Sequence, residues 1–187
     1  MKKTLLVLIC FLSSIPIFCQ TIAWRDEKDG VLSIGTDYMM TNYGFLSRRI
    51  NMGVSLSYSY NSHNDSELFI LGILLYTIDE KCSFDKGSKL KIETFDNQSI
   101  KLIQIDNNVI SELHENIPPN GYLWKSDPSY TLTRDQLEMI IKGGVTRIWF
   151  QSTNGLFYKP FDKDLVGALL DSEWKLIQQK MDVTKGF

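Results

Sequence analysis

The stretch from Asn51 to Tyr76 limits the fold more than any other part of the chain. From Asn51 to Tyr60 the side chains alternate. Met52, Val54, Leu56, Tyr58 and Tyr60 point one way and Ser55, Ser57 and Ser59 the other, the period-two pattern of a half-exposed strand. The turn formers Asn61 to Asp65 follow. Leu68 to Tyr76 then reads LFILGILLY, too short to span a bilayer and suited to a central strand buried on both faces. The two segments predict a β-hairpin.

Two more hairpins are expected. In Lys89 to Ile105, Leu90 and Ile92 alternate with charged residues, Asp96 and Asn97 turn the chain, and Ile100 and Leu102 return it. Val145 to Ser152 and Leu156 to Tyr158 flank Asn154 and Gly155, a pair that tolerates positive φ and so fits a two-residue turn. Two helices accompany the strands. Thr133 and Gln136 form a capping box ahead of Leu137, Ile140 and Ile141, and Gly143 and Gly144 stop that helix. A second helix is predicted from near Asp162, with Val166, Leu170, Trp174, Ile177 and Met181 at steps of three and four; it should lie across the sheet as a lid. Asp106 to Tyr130 holds Pro118, Pro119, Gly121 and Pro128 and reads as an irregular excursion with a short strand at Tyr122 to Trp124. The expected fold is α+β, mainly an antiparallel β-sandwich or half-open barrel, with a short helix and a C-terminal helix packed on the sheet. Residues 20–187 form a single domain in this reading.

The first nineteen residues, MKKTLLVLICFLSSIPIFC, place two lysines before an apolar stretch from Leu5 to Leu12. Charge followed by a short apolar core is the pattern of an export signal. Residues 1–19 are therefore expected to be a signal peptide cut after Cys19, leaving Gln20 as the new terminus of a periplasmic or extracellular protein of the cell envelope. The bulky Phe18 argues against lipid attachment at Cys19, and no integral membrane protein is expected after processing. Cleavage removes Lys2 and Lys3, leaving 18 bases against 22 acids. Lysines lie interspersed with acids, as in Lys81 to Lys91, so nucleic acid is not an expected partner. Of three cysteines only Cys82 lies outside the signal, so the processed chain has no internal disulfide and must be held by its core.

Catalytic chemistry finds little to use. His63 and His114 are the two histidines. His63 sits in the polar turn NSHNDSE, a poor frame for a metal that wants about four ligands, and His114 reads as an exposed loop residue. Cys82 reads as a buried, inert thiol, because one neighbouring lysine is a weak source of activation. Asp26 to Gly30 and Asp162 to Asp164 resemble fragments of calcium loops, yet both lack the alternating oxygen ligands and closing Glu; the first reads as a turn and the second as a helix start. Gly143 and Gly144 end a helix, where a phosphate cradle would begin one. No catalytic residue, metal ligand or cofactor is therefore predicted. The richest feature is aromatic: Tyr38, Tyr43, Tyr58, Tyr60 and Trp124 are the candidate ligand-binding residues, since flat aromatic faces beside amides suit sugars or peptides.

The signal ending at Cys19 and Gln20, the early Trp24, the hairpins, the run YTLTRDQLEMIIKGGVTRIWF and the closing FDKDLVGALLDSEWKLI resemble the layout of small exported β-rich proteins of the Bacteroidetes type, whose function is uncharacterised. The resemblance implies an envelope or secreted protein and brings no site residues. Two functions are expected to compete. The first is a non-catalytic binding or envelope accessory module that takes an envelope protein as partner through a sheet edge or aromatic surface. The second is a carbohydrate-binding protein or a glycan-directed hydrolase using two acids. The oligomeric state is open, with self-association through strand edges as a third reading.

Overall fold

The computed structural model describes residues 21–41, 50–117 and 121–182. The expected signal peptide and Tyr43 lie outside them. In chain order the elements are β1 (Ile22–Lys28), β2 (Val31–Thr36), β3 (Met39–Met40), β4 (Ile50–Asn61), β5 (Ser66–Ile78), β6 (Lys89–Thr94), β7 (Ser99–Gln104), β8 (Glu112–Ile117), β9 (Gly121–Ser126), β10 (Ser129–Leu132), α1 (Arg134–Gly143), β11 (Val145–Ser152), β12 (Gly155–Pro160) and α2 (Val166–Asp182). The twelve strands form one unclosed antiparallel sheet, ordered β1-β2-β4-β5-β10-β7-β6-β11-β12, with β3 on β4 and the β8–β9 pair on the far half of β5. This is the expected α+β architecture, with its short helix and C-terminal helix on the sheet.

β4 and β5 pair along their whole length, from Ile50 opposite Thr77 to Asn61 opposite Ser66, as the alternation and the apolar run predict. β5 is central. Its second side is shared by β10, opposite Phe69 to Gly72, and β9, opposite Leu75 to Ile78. At the joint, the Ile73 amide donates to the Pro128 carbonyl at 3.0 Å, so a proline, which has no N–H, sits where the strand partner changes. The serine face of β4 is more covered than expected: Ser55 is buried, because Tyr38 lies over it and over Gly72, where a Cβ would fall 3.0 Å from the tyrosine hydroxyl.

Three details correct the sequence reading. Asp106 to Tyr130 is far more regular than an excursion, holding β8, β9 and β10. The exposed run Glu112 to Asn116 in β8 has no apolar alternation to reveal it, because neither of its faces is covered there. The third hairpin turns on Thr153 and Asn154, since Ser152 pairs with Gly155; of the expected pair only Gly155 has positive φ, at 126°. The second helix starts at Val166 and not near Asp162, because Asp164 Oδ1 accepts the Gly167 amide at 2.8 Å and acts as its cap.

The core fills the side of the sheet covered by the helices. Thr133 and Gln136 form the predicted capping box of α1, and Leu137 and Ile140 are buried beneath it. Val166, Leu169, Leu170, Trp174 and Ile177 of α2 are buried against Ile34, Met52, Val54 and Leu56 of the sheet. Each such side chain contributes roughly 1.5–3 kcal/mol by leaving water. α2 also carries Glu173 into this interior with no exposed surface, a feature the sequence reading missed.

Candidate functional site

A polar hollow opens between the tip of the β4–β5 hairpin, the β1–β2 turn and the helices. It has a volume of about 730 Å³, and Tyr58, Tyr60, Asp65, Glu67, Arg134 and Met181 are among its walls. Tyr58 and Tyr60 reach it by the alternation of β4. Tyr58 is buried, and its ring packs 5.1 Å from Phe69 and 5.5 Å from Trp174. Of this aromatic cluster Tyr58 lines the hollow, with Phe69 and Trp174 packed behind it.

The rim is tied by local chemistry. Asp29 and Gly30 take φ of 50° and 75°, the left-handed pair that a tight hairpin turn needs. Onto that turn the β4–β5 tip docks: Ser62 Oγ donates to the Gly30 carbonyl at 2.9 Å, and His63 Nε2 lies 2.8 Å from the Asp29 carbonyl. His63 is thus exposed in its turn as expected, and engaged as a spacer between two tips. Across the hollow, Arg134 at the start of α1 donates through Nε to Glu67 Oε1 at 2.9 Å and through Nη2 to Oε2 at 2.5 Å. Its guanidinium also lies 5.4 Å from the Phe69 ring centre and 5.2 Å from that of Trp174. Tyr60 donates to Asp65 Oδ1 at 2.9 Å. That bond raises the Tyr60 phenol above its ordinary pKa, and burial followed by the nearby Glu67 raises that of Tyr58. Both phenols therefore stay protonated donors. With the carboxylates committed to Arg134 and Tyr60, the walls offer fixed donors, acceptors and aromatic faces, which is equipment for recognition.

The five sequence candidates do not form one site. Tyr58 and Tyr60 share the hollow. Tyr38 lies over Gly72 and Ser55, its phenol raised by burial and then by Asp127. Trp124 stands on β9 with the Lys81 ammonium 4.4 Å from its ring centre. Tyr43 lies outside the described residues. His114 is exposed on β8, not in a loop, with its ring 5.0 Å from Tyr76. Cys82 is buried, and burial pushes its thiol up to about 11. Among the described residues no three His, Cys, Asp or Glu side chains gather as metal ligands.

Sequence reading missed Glu67 and Arg134, which are 67 positions apart and carry no local signal of their pairing. It also missed a second surface whose signal was present. On the outward face of β6, β7, β11 and β12, pairing aligns Lys101, Lys91, Trp149 and Tyr158 in one row. Lys89, Lys91 and Lys101 thereby share one face, with Glu93 beside them.

No family model, curated protein or solved structure matches this chain. Among the described residues no helix is long and apolar enough to cross a membrane.

Proposed function

We propose that the chain is an exported, non-catalytic binding module of the cell envelope, and that the hollow beside Tyr58 and Tyr60 seats its partner. The convergence of two tyrosines, Arg134 and the carboxylates of Glu27, Asp65 and Glu67 on one cavity of about 730 Å³ carries this reading. Concave sites with aromatic walls and a few convergent polar groups are where ligands bind. Export is supported by Lys2, Lys3 and the apolar stretch from Leu5 to Leu12. It predicts a mature terminus at Gln20 in the periplasmic or extracellular fraction. An intact Met1 form confined to the cytosol would end the export reading.

The binding reading is tested by placing a photo-crosslinking amino acid at Ser62, on the rim, or at Glu138, on the exposed surface of α1, in cells that make the protein. Adducts should form from position 62 and not from 138. Equal adducts from both positions, or turnover of a substrate panel by the purified protein, would overturn it.

A carbohydrate ligand is the second reading, favoured by tyrosine faces beside the Asp65 and Glu67 oxygens, which can accept sugar hydroxyls. A glycan array probed with the wild type and with Tyr60→Ala decides it: a signal lost in the variant supports it, and no signal, or one unchanged, removes it.

A further inference from the structure

The outward face of β6, β7 and β11 gathers lysines whose charges are only partly offset among the described residues, Lys91 by Glu93 and by the Trp149 ring 5.7 Å away. Lys91 and Lys101 are direct cross-strand partners, and like charges set opposite one another destabilise a sheet. Lys89 lies two residues from Lys91 on the same face, about 7 Å along the strand. Lys91 reaches Glu93 at 2.6 Å, and Arg147 reaches the same carboxylate at 3.4 Å. That acid is already shared. Among the described residues Lys89 and Lys101 have no carboxylate partner. The cations border a hollow of about 320 Å³ whose other walls include Trp149, Gln151 and Leu156. Leu156 is 67 % exposed. The Trp149 ring is braced by Tyr158, 4.7 Å away, and by the Arg147 guanidinium at 5.4 Å.

We infer that this face binds an acidic saccharide, with its anionic group held by Lys89 and Lys101 and its ring carbons laid against Trp149 and Leu156. The inference does not depend on the tyrosine hollow, which lies on other strands. Charge selects the ligand class. Two ammonium groups without an acid partner, on Lys89 and Lys101, suit a single carboxylate, whereas a nucleic acid asks for a basic track along its backbone. The chain has 22 acids against 20 bases, so its overall charge does not attract a long polyanion. A sugar matches the remainder, because its C–H face is apolar like Leu156 and its hydroxyls pair with an amide such as Gln151.

Calorimetry with trigalacturonate and with its methyl ester tests this, using the wild type and Lys101→Glu. The acid should bind at least about tenfold more tightly than the ester, and more weakly as salt rises from about 50 to 300 mM. Lys101→Glu sets an acid opposite Lys91, so the variant should melt at the same or a higher temperature. It should nonetheless lose about tenfold or more of its affinity for the acid. A merely structural role for Lys101 predicts no such split. The inference fails if trigalacturonate does not bind, if acid and ester bind alike, or if Lys101→Glu binds the acid as well as the wild type. It also fails if oligothymidylate or phosphatidylglycerol vesicles bind more tightly than the acid.

Discussion

Asp164 accepts the amide of Val145, the first residue of β11, at 3.0 Å, through the same oxygen that takes the Gly167 amide at 2.8 Å. One side chain thus caps a helix and starts a strand. Asp164→Ala leaves two donors without their acceptor and should cost about 2 kcal/mol. Asp164→Asn, which keeps an acceptor oxygen, should recover part of that. Urea denaturation reads both, and a loss below about 0.5 kcal/mol for the alanine variant would contradict the double role.

Glu173 gives the fold a pH dependence of definite sign. Burial pushes its pKa up to about 9 from an ordinary 4.5. Thr36 and Leu56, the polar neighbours that oppose the shift, bond to each other at 3.2 and 3.0 Å, and neither Glu173 oxygen has a hydrogen bond of normal geometry. The unfolded chain therefore ionises this group at lower pH than the folded chain does. Its contribution is most favourable below the ordinary carboxyl range and is lost progressively as pH rises toward 9. The loss reaches roughly 3 kcal/mol by pH 7. Glu173→Gln should flatten the stability profile between about pH 5 and 9 and make the protein more stable at pH 8. Chemical denaturation across pH checks this, and equal slopes for variant and wild type would refute it.

The Arg134–Glu67 pair depends on the shape of the guanidinium as well as its charge. Both side chains are partly exposed, so the ion pair alone is worth under about 1 kcal/mol. The contacts of Arg134 with Phe69 and Trp174 add a similar amount. Arg134→Ala should destabilise by about 1–2 kcal/mol. Arg134→Lys should restore little, because an ammonium has no planar fork. Full rescue by lysine in a thermal melt would show that charge alone matters.

Cys82 should be silent toward thiol reagents while the protein is folded. A thiol near 11 carries about a hundredfold less thiolate at pH 8 than an ordinary one, and burial adds a barrier of access. Ellman's reagent should label it only on unfolding. Rapid labelling without denaturant would contradict the burial.

How much could be read in advance follows from how local each signal is. The β4–β5 hairpin, the Thr133 capping box and the apolar stripe of α2 are written within a few residues, and all three stand in the structure. β8 escaped because its residues Glu112 to Asn116 are exposed and show no period. Tyr58 and Tyr60 were legible as neighbours on one strand face. Their joining with Arg134, and the separation of Tyr38 and Trp124 from them, depend on pairings across distant strands. The row of Lys101, Lys91 and Trp149 lay between these cases: each strand announced its own outward residues, but only the register shows that those residues meet.

The sheet's last strand is tied to its early part without a ladder between them. Lys159 is buried in β12, and its ammonium donates to the Ile50 carbonyl, at the start of β4, at 2.9 Å. A strand ladder resists opening all along its length, whereas a seam held by a side chain can part while every paired strand stays whole. Lys159 therefore fastens β12 to β4 across a gap that no described strand ladder bridges.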